Sequence, residues 1–142
     1  MKSLAFALLL MIAACTNGGD PLRSTDSAPR ETGADVRVPL LASGGASHQV
    51  GAIGTLEVDG PCLYLRASNG SRTLPLFATA RTRWNRAEGL LEVGDKKFTP
   101  GQTVILGGSP LDSVPSGVDW VQAPDPACKA PRAFIAYTID AR

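Results

Sequence analysis

The sequence predicts an all-β protein, and three observations carry that reading. Apolar residues alternate with period two from Val50 onward, 15 Gly and 11 Pro punctuate a chain of 142 residues, and no segment sustains a helical period. The length leaves room for one domain. A body of that size buries only roughly 60–70% of its unfolded-chain surface and needs a staple beyond its core.

At the N-terminus, Lys2 precedes an unbroken apolar run from Leu4 to Ala14. At ~1.5 Å per residue this run is too short to cross a ~30 Å hydrocarbon core as a permanent helix, and its layout is that of an export signal. Ile12-Ala13-Ala14-Cys15 closes it with an aliphatic residue, two small ones and a cysteine. That tetrapeptide resembles the lipobox of bacterial lipoproteins. The resemblance implies that residues 1–14 are removed as a signal peptide and that Cys15 becomes the lipid-modified first residue. The competing reading is ordinary secretory cleavage with Cys15 incidental; the switch to polar sequence right after Cys15 favours the lipoprotein. Each buried methylene contributes ~0.8 kcal/mol, so two or three acyl chains anchor stably where one does not. Thr16, rather than an aspartate, follows the cysteine. The resemblance therefore implies the outer membrane wherever the organism has two.

Residues 15–49 are expected to be a lipid-anchored linker. Thr16 to Gln49 is poor in large apolar residues and rich in Gly, Ser, Thr, Pro, Asp and Arg. It cannot bury enough surface to offset its ordering entropy, and its root-mean-square reach is on the order of 30 Å. Val36-Arg37-Val38-Pro39-Leu40-Leu41 is the exception and reads as a first or edge strand, with Pro39 suited to an edge.

Residues 50–142 are expected to fold. Val50, Ala52, Gly54, Leu56 and Val58 share one face of a strand that Asp59-Gly60-Pro61 breaks. Cys62-Leu63-Tyr64-Leu65 starts the next. Asn69-Gly70 signals a hairpin, because both residues tolerate positive φ. Thr73 to Ala78 returns, and Gly94-Asp95 joins Leu90–Val93 to Lys96–Phe98. Thr99-Pro100-Gly101-Gln102 fits a type II turn. Thr103-Val104-Ile105-Leu106 is a buried strand that Gly107-Gly108 is expected to end, and Ala133–Ile139 is the last. Only Ala78 to Ala87 has room for a short helical turn. About six short strands must bury one face without bare edges, which points to a small barrel of OB type, closed or partly open. Between the last two strands, Ser109 to Arg132 carries five prolines and reads as one long loop, a candidate recognition surface.

Export fixes the remaining cysteines. With Cys15 acylated, Cys62 and Cys128 are an even pair in an oxidising compartment, expected as a disulfide. A bond between them closes a loop of roughly 67 residues and adds ~4 kcal/mol on the chain-entropy model. A metal site is the alternative, disfavoured by a single histidine, His48, and by the lack of paired-cysteine spacing.

Charge and motif content narrow the function. Removing Lys2 with the leader leaves 13 basic against 13 acidic residues, so nothing recruits a nucleic acid. His48 lies in the linker, where a general base is neither oriented nor desolvated. No nucleophile elbow, zinc helix, phosphate loop or calcium loop occurs; no enzyme activity, cofactor or metal is expected. Two clusters remain as candidate binding residues. Arg81, Arg83, Trp84 and Arg86 combine bidentate donors with an indole, suited to an anionic or sugar-bearing partner; the bland alternative is a solvated charged rim with Trp84 in the core. Trp120, in the long loop, is a protein-binding anchor if exposed and a plug for the barrel mouth if buried.

The body also resembles small exported β-barrel domains, many of them uncharacterised lipoproteins. The likeness rests on Gly54-Thr55-Leu56-Glu57-Val58, Cys62-Leu63-Tyr64-Leu65, Thr103-Val104-Ile105-Leu106-Gly107-Gly108 and Cys128. It implies a fold and no activity. The expected function is a membrane-anchored, non-catalytic binding or accessory lipoprotein of the bacterial envelope, held by its lipid and contacting an envelope protein or glycan. Alternatives are a structural envelope-integrity protein without a discrete ligand, and an envelope hydrolase or inhibitor domain.

Overall fold

The computed structural model describes residues 35–42 and 50–142. The leader, Cys15 and His48 lie outside the described residues. Within them the chain forms ten strands and no helix. These are β1 (Leu40–Leu41), β2 (Val50–Asp59), β3 (Cys62–Arg66), β4 (Arg72–Phe77), β5 (Thr82–Asn85), β6 (Leu90–Val93), β7 (Lys96–Phe98), β8 (Thr103–Leu111), β9 (Trp120–Gln122) and β10 (Arg132–Ala141).

Five of them close a barrel. β2 pairs antiparallel with β3, and β3 with β4; β4 lies parallel to β10; β10 and β8 pair antiparallel, and β8 returns to β2. This circuit is a five-stranded barrel of the OB type. The count exceeds the expected six because β1 and β9 are short additions and β5-β6-β7 form a separate three-stranded meander. The meander replaces the helical turn considered for Ala78 to Ala87.

Closure depends on β2 serving two neighbours. Residues Val50–Thr55 pair with β8 and Thr55–Asp59 with β3. The changeover falls at Thr55, beside Gly54, where a Cβ would sit 2.7 Å from the Arg66 carbonyl oxygen and 2.8 Å from Leu65 Cγ. A glycine is the residue that lets two strands approach this closely. The turn at Thr99–Gln102 forms as expected, with Gly101 at φ 88° and Gln102 N donating to Thr99 O.

The barrel interior holds Leu56, Leu63, Leu65, Val104, Leu106, Phe134, Ala136 and Ile139. Leu91 and Phe98 of the meander join the same cluster, as do Val36 (4% exposed) and Val38 (1%). Arg37 N donates to Pro61 O at the β2–β3 turn, and Phe77 N at the end of β4 donates to Pro39 O. The segment therefore crosses one end of the barrel with its valines inward. The folded body takes in Val36–Leu41, which the division at residue 49 assigned to the linker.

A second apolar cluster lies outside the barrel. Because side chains alternate, Cys62 and Tyr64 of β3, Leu74 and Leu76 of β4 and Ala133 of β10 turn outward, away from the interior set. Leu111, Val114, Val118, Trp120 and Ala130 cover them. The long segment between β8 and β10 is thus folded onto the barrel wall. Cys62 and Cys128 are bonded, with 5.4 Å between their Cα atoms, and fasten that segment to the start of β3.

Candidate functional site

β5 sorts the first arginine–tryptophan cluster onto two faces. Thr82 is buried and Trp84 packs against the interior cluster, while the Arg83 side chain is 76% exposed on the other side. Arg83 and Trp84 therefore do not stack as one patch. Arg83 sits opposite Glu92 on β6. Its Nε donates to Glu92 Oε2 at 2.5 Å, and Asn85 Nδ2 donates to Oε1 at 2.8 Å. These two donors, Asn85 first and Arg83 next, hold the Glu92 carboxyl below the usual carboxylate range. Arg81 lies apart, in a small depression of about 340 Å³ that it shares with Arg83, Glu92 and Gly94.

Trp84 carries an unusual feature for a packed residue. Its Nε1 is buried and has no acceptor among the described residues. Leaving such a donor unsatisfied costs about 1–3 kcal/mol. Trp120 is neither an exposed anchor nor a plug for the barrel mouth. It starts β9 opposite Leu41 and lies half-buried on the outer cluster.

What the structure does bring together is the flanks of these two tryptophans. Arg83, Trp84 and Arg86 face Val121, Gln122 and Ala123 across a cleft of about 660 Å³. Its third side is the crossing segment, through Asp35, Arg37 and Leu40. Three guanidinium groups and one carboxylate thus line one cleft, with Val121 exposed at its rim. Arg37 was missed by sequence reasoning because it sat in the presumed linker. Its signal was the Val36/Val38 alternation that places it on the outer face.

Two other regions compete and are set aside on their chemistry. A larger depression, about 990 Å³, runs past Ile53, Thr55, Pro100, Thr103 and Arg142. Its charged residues Glu57 and Arg66 pair with each other at 3.5 Å, and Glu57 also meets Arg72, which reaches Asp59 at 2.9 Å and lies over the Tyr64 ring. These four charges are committed to one another, and Arg142 is the one further charged residue of the lining. The wall formed by the second and third barrel strands, which in OB-type barrels receives oligomers, is here β3 and β4. Much of its outer face is already covered by residues of the β8–β10 segment. Among the described residues, no three His, Cys, Asp or Glu side chains converge as a metal site would require. No family model, curated protein or solved structure matches this chain.

Proposed function

We propose that the chain is a lipid-anchored, non-catalytic binding or accessory protein of the bacterial envelope, with the cleft between β5, β9 and the crossing segment as its contact site. The observation that carries this is the convergence of Arg83, Trp84 and Arg86 with Val121, Gln122 and Ala123. Segments more than thirty residues apart meet at one basic, half-enclosed surface. The Cys62–Cys128 bond supports export to an oxidising compartment. The lipobox-like Ile12–Cys15 supports attachment through Cys15, and Thr16 supports the outer membrane. An arginine-lined cleft suits an acidic envelope protein or an anionic glycan better than a neutral ligand.

The test places a photo-crosslinking residue at Ala123, on the cleft, and separately at Ser116, an exposed position of the same segment. Both variants are expressed in cells as the full chain. The proposal expects a discrete adduct from position 123 and none from position 116, lost when Cys15→Ser releases the anchor. Equal capture at both positions, or none at either, overturns it.

A further inference from the structure

We propose that the cleft takes an extended acidic peptide, which adds as a fourth strand along the open edge of β5. This deepens the reading of the cleft as the contact site and rests on it. β5 is the outer strand of the meander, and no strand among the described residues pairs with its far edge. Gly94 N donates to Arg81 O. That bond sets the antiparallel alternation, so Arg83 and Asn85 direct their backbone groups at β6. Thr82 and Trp84 then direct theirs to the open edge. Both residues line the cleft.

Facing them is a second extended stretch. Asp35 to Val38 alternates exposed and buried residues, as a strand does, without belonging to a ladder. The cleft is therefore bounded by two extended backbones, and an extended chain is the shape that fits between them. Strand addition of this kind takes its affinity from main-chain hydrogen bonds and its selectivity from alternate side chains. Here the selecting groups are Arg37, Arg83 and Arg86; Asp35 is the one carboxylate of the lining, and Arg83 also holds Glu92 beside it through Nε. A peptide with carboxylates at every second residue matches that charge. Its carbonyl oxygens would also bring acceptors to the neighbourhood of the Trp84 indole, whose N–H has none among the described residues.

The experiment uses the full chain in mild detergent and three fluorescein-labelled peptides: four Glu-Val repeats, four Lys-Val repeats and four Glu-Pro repeats. The Glu-Pro peptide keeps the charge, but its prolines fix φ at about −65° at every second residue, away from the roughly −140° of an antiparallel strand, and lack the N–H there. Fluorescence anisotropy at ~50 mM salt should show binding of the Glu-Val peptide alone. The double variant Arg37→Glu/Arg83→Glu should weaken it on the order of tenfold or more. Amide exchange should slow at Thr82 and Trp84. Equal binding of the Glu-Pro peptide, or unchanged exchange at those amides, overturns strand addition; equal binding of the Lys-Val peptide overturns the charge match. If no peptide binds while the Ala123 crosslinker still captures a discrete species, the peptide assignment fails and the cleft stands. If capture fails as well, both fall.

Discussion

Replacing both Cys62 and Cys128 by serine removes a crosslink between residues 66 apart in sequence. On the chain-entropy model, freeing a loop of that length lowers the unfolding free energy by about 4 kcal/mol. For a domain near 100 residues, each kcal/mol moves the melting temperature by roughly 4–8 °C, so the expected drop is roughly 15–30 °C. The assay is thermal unfolding of the full chain in mild detergent, followed by far-ultraviolet circular dichroism. Tryptophan emission adds a local readout. Trp120 belongs to the segment that the bond fastens, so its emission should shift to longer wavelength before the strands melt. A drop of under about 5 °C, with emission and strand signal changing together, would refute the reasoning. The segment would then be held by its apolar contacts alone, and the bond would be redundant.

Three further outcomes test other parts of the structure. Gly54→Val drives a side chain into the Arg66 carbonyl and Leu65 and should cost about 1–3 kcal/mol in urea unfolding; Gly51→Val, whose nearest neighbour would be 3.9 Å away, should be tolerated. Trp84→Phe deletes the orphaned donor but also gives up the packing of the second ring, effects of opposite sign, so the net change should stay within about 1 kcal/mol; a loss beyond about 3 kcal/mol, more than the lost packing explains, would show that the indole N–H has an acceptor. Glu92 titrates lower in the folded chain than in the unfolded one, so its contribution is full above the unfolded carboxylate range and fades as pH falls through its folded value. Glu92→Gln should therefore melt below wild type above about pH 5 and converge with it toward low pH; a gap that widens on acidification would reverse the sign.

Where the sequence was legible, the cause was local. Gly94-Asp95 and Thr99–Gln102 formed the turns expected of them, because turn geometry is decided by a few adjacent residues. Asn69-Gly70 marks a hairpin as expected, but with a three-residue loop, Ser68 to Gly70, closed by Ala67 N donating to Ser71 O, in place of a two-residue turn. The β2 alternation likewise read directly from Ala52 to Val58, whose even-numbered residues face the core, while Val50 at the strand's start is exposed. Misreadings came from positions decided by distant partners. Gly107-Gly108 looked like a strand end, yet β8 continues to Leu111. A Cβ at Gly108 would collide with the Ile135 backbone, so the glycine permits close approach of β10 rather than termination. Val36 and Val38 read as part of a first or edge strand, but inside the segment divided off as linker, because the residues they pack among, Leu56, Leu63 and Phe77, come later in the chain. Trp84 and Trp120 were ambiguous for the same reason: a lone indole does not reveal which face its strand presents. The cleft itself was invisible, since it needs β5, β9 and the crossing segment at once.

The placement of that cleft follows from what the chain does with its barrel wall. Tyr64, Leu74 and Leu76 give β3 and β4 an apolar outer face that water would otherwise meet. A barrel that received ligands there would leave the face open or polar. This chain instead spends Val114, Val118, Trp120 and Ala130 on covering it and secures the cover with Cys128. The β8–β10 segment then has to leave the wall, and it does so through β9, which lies beside β1. That pairing carries Val121, Gln122 and Ala123 to the end of the barrel where β5 already presents Arg83. Covering the wall and assembling the cleft are thus one structural act, performed by one segment. A substitution that loosened the cover, such as Leu74→Ala or the loss of the disulfide, should therefore disturb the cleft without touching any residue that lines it.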